Sequence, residues 1–428
     1  MRLSEMRLFL FCLLCVPVWG GGEDRDWMST DGRMVRASLL GVEGARVTLR
    51  TPDGRRMVVR LDRLADADRA MVEAWRRGRS AELALPPLDV PPQSTVEKPR
   101  VNGPRRTGEE WEFSTRHFLF QSRAELSASA VQELATVAEA TWEWSRNWPM
   151  PVPESGNAAG LCRVLLFQNK ADYEAAGGPK DSAGFFRMDP LGGSRGALLT
   201  PVGSLGLEEQ ARGQVGKGWG YDPRVLIHEI SHQLTAEYLN LLPLWIREGV
   251  AEWTSLPLYR GGTFLLGRDH LTARLRTRWE DFLRRNPETG EVLDDGKSAP
   301  AAAWTMPLQD LWGNAEHAET LRSGSLSQKQ RLYFNALLCI HYFLQLEGDG
   351  QARRFRVYWQ AVEQARLHFH SNGREGAVPQ GTLRAWDSAR RSLFPLLTAG
   401  KSPADWQRDM VRKYAAVGIR LEYAEGAR

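Results

Sequence analysis

The stretch that most restricts the fold of this chain is RVLIHEISHQLTAEYLN, residues 224–240, in which His228 and His232 bracket a glutamate. The two histidines are four residues apart, so on a helix their side chains lie one turn apart on the same face. Asp222 and Pro223 just upstream are typical of a helix start, because an N-cap residue is followed by proline at the first helical position. The sequence therefore predicts an amphipathic helix that presents two imidazoles to one metal ion.

The glutamate between the histidines, Glu229, is rotated by about 100° from its neighbour around the helix and need not bind the metal itself. A zinc ion with three protein ligands keeps a fourth position for water and lowers the pKa of that water to about 7. A carboxylate beside it can accept the proton during attack on a carbonyl, which is the mechanical basis of the His-Glu-x-x-His pattern. The sequence predicts Glu229 as the general base, and a third ligand decides between this reading and a chance helical pattern.

The downstream segment LPLWIREGVAEWTS supplies that ligand. Pro243 marks a break between two helices, so a short turn brings Glu248 back alongside the histidines. Gly249 removes a side chain where these two helices would approach closely. Glu252, one turn on, can hydrogen-bond the second nitrogen of a ligand histidine. We expect one Zn²⁺ held by His228, His232 and Glu248, with Glu252 as the supporting carboxylate, and an exchange of roles between the two glutamates stays open.

At these residues the chain resembles the gluzincin branch of zinc metallopeptidases, in particular the bacterial peptidase MA-like group, in which His-Glu-x-x-His is followed by Trp-x-x-Glu-Gly-x-Ala-Glu. The resemblance is strong over residues 221–255 and architectural over residues 111–359. It implies a zincin-like fold and a secreted zinc metallopeptidase that acts on a peptide or protein substrate, with the five residues in the roles given above. The link between the histidine helix and Glu248 is shorter than in thermolysin-like members.

A non-catalytic, zinc-containing envelope protein that uses its N-terminal region for attachment is the alternative function. The intact Glu229 favours the enzyme, since a structural zinc site needs no base. The residue that stabilises an oxyanion is not defined by the sequence, and packing or surface roles are open for each candidate. These candidates are Tyr333, His341, His270 and Arg247.

The N-terminus has the order of a secretory signal peptide, predicted over residues 1–20. Arg2 and Arg7 precede an apolar run that ends in small residues. The run is too short for a comfortable membrane span, and no other segment approaches about 18 apolar residues. We expect a secreted or periplasmic protein without a transmembrane span in the mature chain, with an uncleaved N-terminal anchor as the alternative. The 56 basic and 52 acidic residues are well mixed, which argues against a nucleic-acid partner.

Residues 25–78 contain short alternating segments separated by glycine turns, including the hairpin signal Asp53-Gly54, and close with a helical pattern. This stretch resembles the SLA-type homology domain, an SH3-like barrel that binds short peptides in endocytic adaptors. The resemblance implies a small SH3-like β-barrel, and a peptide or envelope ligand or a spacing role is open. The proline-rich residues 79–109 predict a semi-rigid, solvated linker.

Residues 110–428 read as strand, helix, strand, helix and hairpin before the histidine helix, and then as mostly helix. The predicted class is α+β, with a small mixed-sheet lobe and a helical lobe. The hairpin GFFRMDPLGGSRGALLTP fits an edge strand that pairs with an extended substrate, with a plain surface hairpin as the alternative. Trp142, Trp144 and Trp148 indicate either core or a binding groove. Cys162 and Cys339 allow one disulfide, although the apolar helix around Cys339 favours a buried thiol.

Overall fold

The computed structural model describes residues 25–69, 71–73, 75–76, 85–150, 160–180, 182–188, 196–209, 215–218, 220–294, 297–313, 317–372, 380–398 and 401–423, with the backbone alone for residues 25, 322, 370–372 and 380–383. The predicted signal peptide lies outside the described residues. Within these ranges the chain is α+β, as the sequence predicts. No helix in them is long and apolar enough to cross a membrane.

The N-terminal region is a four-stranded antiparallel sheet in which each strand pairs with the next. Alternating side chains from its strands, including Trp27, Leu39 and Leu49, face a separate small core. The strands are β1 (Arg25–Met28), β2 (Met34–Glu43), β3 (Arg46–Arg50) and β4 (Arg56–Arg60).

The described residues of this region form no closed barrel, and the SH3-like fold stays a prediction. The two outer strands do not pair, and a single bridge from Ser29 to Leu64 joins the two edges of the sheet. The last strand passes at Leu61 into a 3₁₀ turn, Leu61–Arg63. After this turn the Thr30 amide donates to the Arg63 carbonyl at 2.9 Å and the Ala65 amide donates to the Met28 carbonyl at 2.8 Å, so the curled sheet is joined at its two edges over a short stretch.

The proline-rich segment also differs from its prediction as a solvated linker. In its described part it forms β5 (Gln93–Thr95), which pairs with a strand near residue 264, and β6 (Asn102–Thr107), which pairs with the strand after it. Leu88 and Val96 pack against the main core. Strand pairing and apolar contacts outweigh the local proline signal, because backbone groups near a core need hydrogen-bond partners.

The main sheet has six strands in the order β10-β11-β9-β8-β7-β6. Strands β8, β9 and β11 run parallel to one another, and β10 lies antiparallel at the edge. The predicted hairpin is therefore present, with its first strand at the edge of the sheet. The bounds are β7 (Glu110–Ser114), β8 (Phe118–Ser122), β9 (Cys162–Phe167), β10 (Phe185–Arg187) and β11 (Ala197–Pro201).

Two smaller sheets and the helices complete the larger region. Strands β12 (Leu207–Glu209) and β13 (Val215–Lys217) pair, and β14 (Leu258–Arg260) and β15 (Thr263–Leu265) form a sheet with β5. The α-helices are Ala128–Arg146, Lys170–Ala175, Arg224–Leu234, Leu244–Thr254, Arg268–Leu283, Ala301–Trp304, Leu308–Trp312, His317–Ser323, Leu326–His341, Arg353–Asn372, Gln380–Thr398 and Pro403–Ala416. Short 3₁₀ turns cover Val202–Leu205 and Ala236–Tyr238, and a π-helical turn covers Tyr342–Leu346.

Aromatic packing fixes the helices that carry the candidate site. Trp144 and Trp148 pack edge to face on each other, and both contact Trp253, which directly follows Glu252 in the chain. All three indoles are almost fully buried. These tryptophans are therefore core residues, and aromatic contacts of this kind stabilise the position of the helix beyond the area they bury. Cys162 and Cys339 are both buried, and neither forms a disulfide within the described residues.

Candidate metal centre

The helix Arg224–Leu234, called here the histidine helix, begins where the sequence predicts. The side chain of Asp222 accepts a hydrogen bond from the Arg224 amide at 3.0 Å, and Pro223 already has helical backbone angles. Leu226, Ile227 and Ile230 are buried, so the helix packs firmly into the core. The opposite face carries the histidines towards a cleft.

The chain then turns back. Residues after the histidine helix form a 3₁₀ turn that ends at Tyr238. The ring of Tyr238 is buried and its hydroxyl donates a hydrogen bond to Glu363 at 2.8 Å, so these contacts hold the turn in place. Pro243 precedes the helix Leu244–Thr254, called here the glutamate helix. This reversal brings Glu248 alongside the two histidines, as the spacing predicts.

Three donor atoms meet at the centre of the cleft. Nε2 of His228 and Nε2 of His232 are 3.2 Å apart. Oε2 of Glu248 lies 3.5 Å from the first and 3.3 Å from the second of these nitrogens. The three atoms thus form a nearly equilateral triangle, and each side chain is mostly buried.

The triangle fits the donor set of a zinc ion. Zinc–nitrogen and zinc–oxygen bonds of about 2.0–2.2 Å at tetrahedral angles place neighbouring ligand atoms about 3.3–3.5 Å apart. Two imidazoles and one carboxylate are ligands that zinc accepts, and they leave a fourth position open. The residues therefore fit a metal ion in both chemistry and spacing.

The second carboxylate of the glutamate helix, Glu252, lies behind the triangle. Its Oε1 is 3.1 Å from Nδ1 of His228, and its Oε2 accepts a hydrogen bond from Arg278. When Nδ1 of the neutral ring donates to this carboxylate, Nε2 carries the lone pair that faces the triangle. Glu248 contacts the histidines from the front and Glu252 from behind, so the geometry favours the predicted roles over their exchange.

The electrostatics of these groups are strongly coupled. Burial alone would raise the pKa of both glutamates, but His232 and His228 hold the pKa of Glu248 well below its usual range. The charge of Arg278 and the hydrogen bond with His228 lower the pKa of Glu252 to about 2. Both side chains are therefore carboxylates at neutral pH and available to bind and to orient.

Glu229 lies in the wall of the same cleft, next to the edge strand β10. The backbone amide of Phe186 lies close to its carboxylate. Burial raises the pKa of Glu229, and the neighbouring histidines oppose that effect. Gly184 lies so close that a Cβ there would be 2.9 Å from Cγ of Glu229. A glycine before β10 therefore leaves the space that the carboxylate occupies.

The cleft has a volume of about 650 Å³. One wall is the segment that leads into β10, and another is formed by the glutamate helix and the helix Leu326–His341. One side of β10 pairs with β11, and no strand of the described ranges pairs with its other side. An extended peptide can bind beside such an edge through its backbone.

Of the four oxyanion candidates, Tyr333 and Arg247 line the cleft. The ring of Tyr333 packs edge to face on the His228 ring at a centroid distance of 5.9 Å. Burial and the nearby glutamates raise its pKa, so the hydroxyl stays protonated and able to donate. His341 is instead fully buried against Tyr414, and His270 is exposed outside the cleft, so neither belongs to the site.

Gly249 has a different neighbour from the one predicted. A Cβ at this residue would meet the carbonyl oxygen of Ala336 and Cγ1 of Ile340, both at 2.6 Å. It therefore permits close packing against the helix Leu326–His341 and not against the histidine helix. The prediction placed the close approach on the wrong partner because a sequence pattern does not indicate which face of a helix meets a third helix.

Two residues of the site were not found in the sequence, Arg278 and Gly184. Arg278 lies on the helix Arg268–Leu283, where one arginine among several gives no signal of its own. Gly184 begins the quoted hairpin, and a glycine next to an edge strand is a weak signal of close approach. Tyr333 was one candidate among four, and its position on the His228 ring distinguishes it from the others.

The chain matches no protein-family model, and no curated protein is significantly similar to it. The site itself is therefore the basis for a function: two histidines and a glutamate surround one point, a second glutamate lies behind them, and a buried carboxylate and a tyrosine lie in the same cleft.

Proposed function

We propose that this protein is a zinc-dependent metallopeptidase of the gluzincin kind, with His228, His232 and Glu248 as the metal ligands. The observation that carries the proposal is the triangle of donor atoms, with sides of 3.2, 3.3 and 3.5 Å, and the Glu229 carboxylate in the wall of the same cleft. A structural zinc site is closed by four protein ligands, whereas a catalytic one keeps a position open.

The chain's own residues supply the remaining chemistry. A zinc ion, when bound, acts as a Lewis acid that polarises a carbonyl group and lowers the pKa of water. The Glu229 carboxylate accepts a proton from the attacking water, and the carboxylic acid so formed passes that proton to the leaving amine. The Tyr333 hydroxyl donates a hydrogen bond to the oxygen on which negative charge develops. Glu252 and Arg278 keep the His228 ring in its orientation.

The substrate class follows from the shape of the cleft. It is an open groove beside an edge strand, and such a strand can align an extended peptide through main-chain hydrogen bonds before any side chain is recognised. The residues before β10 and the helix Leu326–His341 form its two sides. A peptide or an extended segment of a protein is therefore the proposed substrate.

The non-catalytic alternative makes a different prediction for Glu229. A binding protein that keeps zinc for structure does not need a carboxylate buried beside the metal ligands. Burying a carboxyl group costs free energy, so such a group would have no role that offsets this cost. The small N-terminal sheet is the proposed attachment region in that case. Export through the N-terminal leader fits both functions and is tested by sequencing the N-terminus of the mature protein.

The deciding experiment combines metal analysis with peptide hydrolysis. Wild-type protein and Glu229→Gln are analysed for bound zinc and assayed on a mixture of peptides, with a change at the half-exposed helix residue Glu143, Glu143→Gln, as the matched control. We expect one zinc per chain in all three proteins and a loss of about 10²–10⁴-fold in kcat for Glu229→Gln alone. Bound zinc with equal activity in all three proteins would refute the peptidase, and absence of zinc would refute the metal centre.

A further inference from the structure

Among the described residues, four carboxylates and four arginine or lysine side chains line the cleft, but they do not all pair with one another. Glu252 pairs with Arg278, and Asp222 pairs with Arg224, so four of the charges are accounted for. Glu248 contacts both histidines. Two cations that line the cleft, Arg247 and Lys329, form no ion pair with any carboxylate among the residues that the structure describes.

Arg247, like Lys329, is half-buried. It precedes Glu248 on the glutamate helix, and its Nε is buried without a hydrogen-bond partner in the described part of the chain. Glu248 attracts its charge, and Arg390 repels it. Because an arginine side chain does not lose its proton in proteins, the cost of the buried charge stays until an anion approaches. A metal ion at the triangle would also attract the Glu248 carboxylate, which would then neutralise less of the Arg247 charge.

Lys329 reaches the same cleft from the helix Leu326–His341. It is four residues before Tyr333, so the two side chains lie on one face of the helix with a rise of about 6 Å between them. A peptide advances by about 3.3–3.6 Å per residue when extended. A group held by Lys329 is therefore within about two residues of the bond that faces Tyr333.

The walls beside these cations are apolar. Leu244 lies three residues before Arg247, and Leu326 lies three residues before Lys329, so each cation has a leucine on its own helix face. Leu239 and Leu321 line the same cleft. The combination suits a carboxylate on an aliphatic stem, because the stem contacts the leucines while the charge meets the cations.

We propose that Arg247 and Lys329 form a carboxylate subsite, so that this protein prefers a peptide with an acidic group within two residues of the cleaved bond. The cleavage preference rests on the proposed function, whereas binding of the carboxylate does not depend on it. The carboxylate comes from an aspartate or glutamate side chain or from the C-terminus of the peptide. Hydrogen bonds between charged groups contribute about 1.5–3 kcal/mol, which corresponds to a preference of about tenfold or more over a neutral amide.

The first test is a profile of cleaved bonds in a complex peptide mixture. Wild-type protein, Arg247→Gln and Lys329→Gln are compared, with Arg260→Gln, an exposed arginine outside the cleft, as the control. We expect acidic residues to be enriched at one position of the cleaved peptides in the wild type and the control. This enrichment should fall by about tenfold in both cleft variants. Lys329→Glu should shift the preference to lysine and arginine. Matched peptides with a free or an amidated C-terminus distinguish the two sources of the carboxylate.

The second test measures binding without cleavage. Matched peptides that differ only by glutamate or glutamine are titrated into the wild type and the two glutamine variants by calorimetry, with zinc and after its removal. Tighter binding of the glutamate peptide that disappears in both variants supports the subsite even if no peptide is cleaved, in which case only the peptidase fails. Cleavage without an acidic preference, or a preference that both variants retain, overturns the subsite and leaves the peptidase standing.

Discussion

Nδ1 of His228 lies 3.1 Å from Oε1 of Glu252, and the other oxygen of that carboxylate accepts a hydrogen bond from Arg278. The arginine fixes the carboxylate, the carboxylate fixes the imidazole, and the imidazole presents Nε2 to the other two donor atoms. Partners of this kind set the orientation and basicity of a metal ligand without touching the metal.

Replacing Glu252 tests this arrangement. Glu252→Gln keeps an oxygen that can accept from His228 but loses the negative charge, so we expect zinc affinity to fall by about 10- to 100-fold. Competition with a chromophoric chelator measures the change, and Glu143→Gln is the control for removal of one carboxylate charge. An affinity equal to that of the wild type would mean that the carboxylate does not orient the ligand.

Zinc binding should also depend on pH through His228. Burial disfavours the charged ring, but the hydrogen bonds to Glu248 and Glu252 outweigh it and raise the pKa of His228 well above its usual value of 6.5. The metal-free site therefore holds a proton at pH 7, and zinc must displace it. Affinity should rise by up to about tenfold per pH unit until the pH passes that raised pKa, and then level off.

Calorimetry in two buffers of different ionisation enthalpy counts the protons released. We expect about one proton per zinc at pH 7, because the raised pKa of His228 means that this ring is charged when no metal is present. Binding that is independent of the buffer would contradict this assignment.

The space in front of Glu229 gives a third prediction. In Gly184→Ala the new methyl group would lie 2.9 Å from Cγ of Glu229, so the carboxylate must move away from its position beside the metal ligands. Zinc content should be unchanged, whereas kcat should fall by about 10- to 100-fold, since a displacement of about 1 Å has effects of that size.

The matched control is Gly203→Ala, because a Cβ at Gly203 has no atom within 4 Å. The two variants remove a glycine each, and only one of them crowds the candidate base. Equal activity in both would show that Glu229 has room to adjust or does not act as the base.

Tyr333 is tested by removing its hydroxyl. Tyr333→Phe keeps the ring contact with His228, so the fold and zinc affinity should be retained while kcat falls by about 10²-fold. Tyr259→Phe is the control, because the Tyr259 hydroxyl is buried, has no hydrogen-bond partner among the described residues and lies outside the cleft. Full activity of Tyr333→Phe would show that the Tyr333 hydroxyl is not the donor that stabilises the oxyanion.

The sequence was sufficient for those parts of the site that lie close together along the chain. Helical spacing brings His228 above His232, and one proline-marked turn returns Glu248 to them, so local rules predicted the triangle. Arg278 and Gly184 reach the site only through the packing of distant elements, which no local pattern encodes. The linker prediction failed for the same reason, because strand pairing such as that of β5 with β15 depends on tertiary contacts.

Gly249 provides a test of how packing holds the metal ligands in place. In Gly249→Ala the added methyl group would be 2.6 Å from both the Ala336 carbonyl oxygen and Cγ1 of Ile340, so the two helices must separate. Overpacking of this kind costs about 1–3 kcal/mol, which exceeds the gain of about 1 kcal/mol from replacing a helical glycine by alanine. The metal-free variant should unfold at a lower temperature than the wild type, and because Glu248 is the preceding residue, its zinc affinity should also fall. Thermal unfolding in chelator separates the first effect from the second, and a variant as stable as the wild type would show that the helices tolerate a wider spacing.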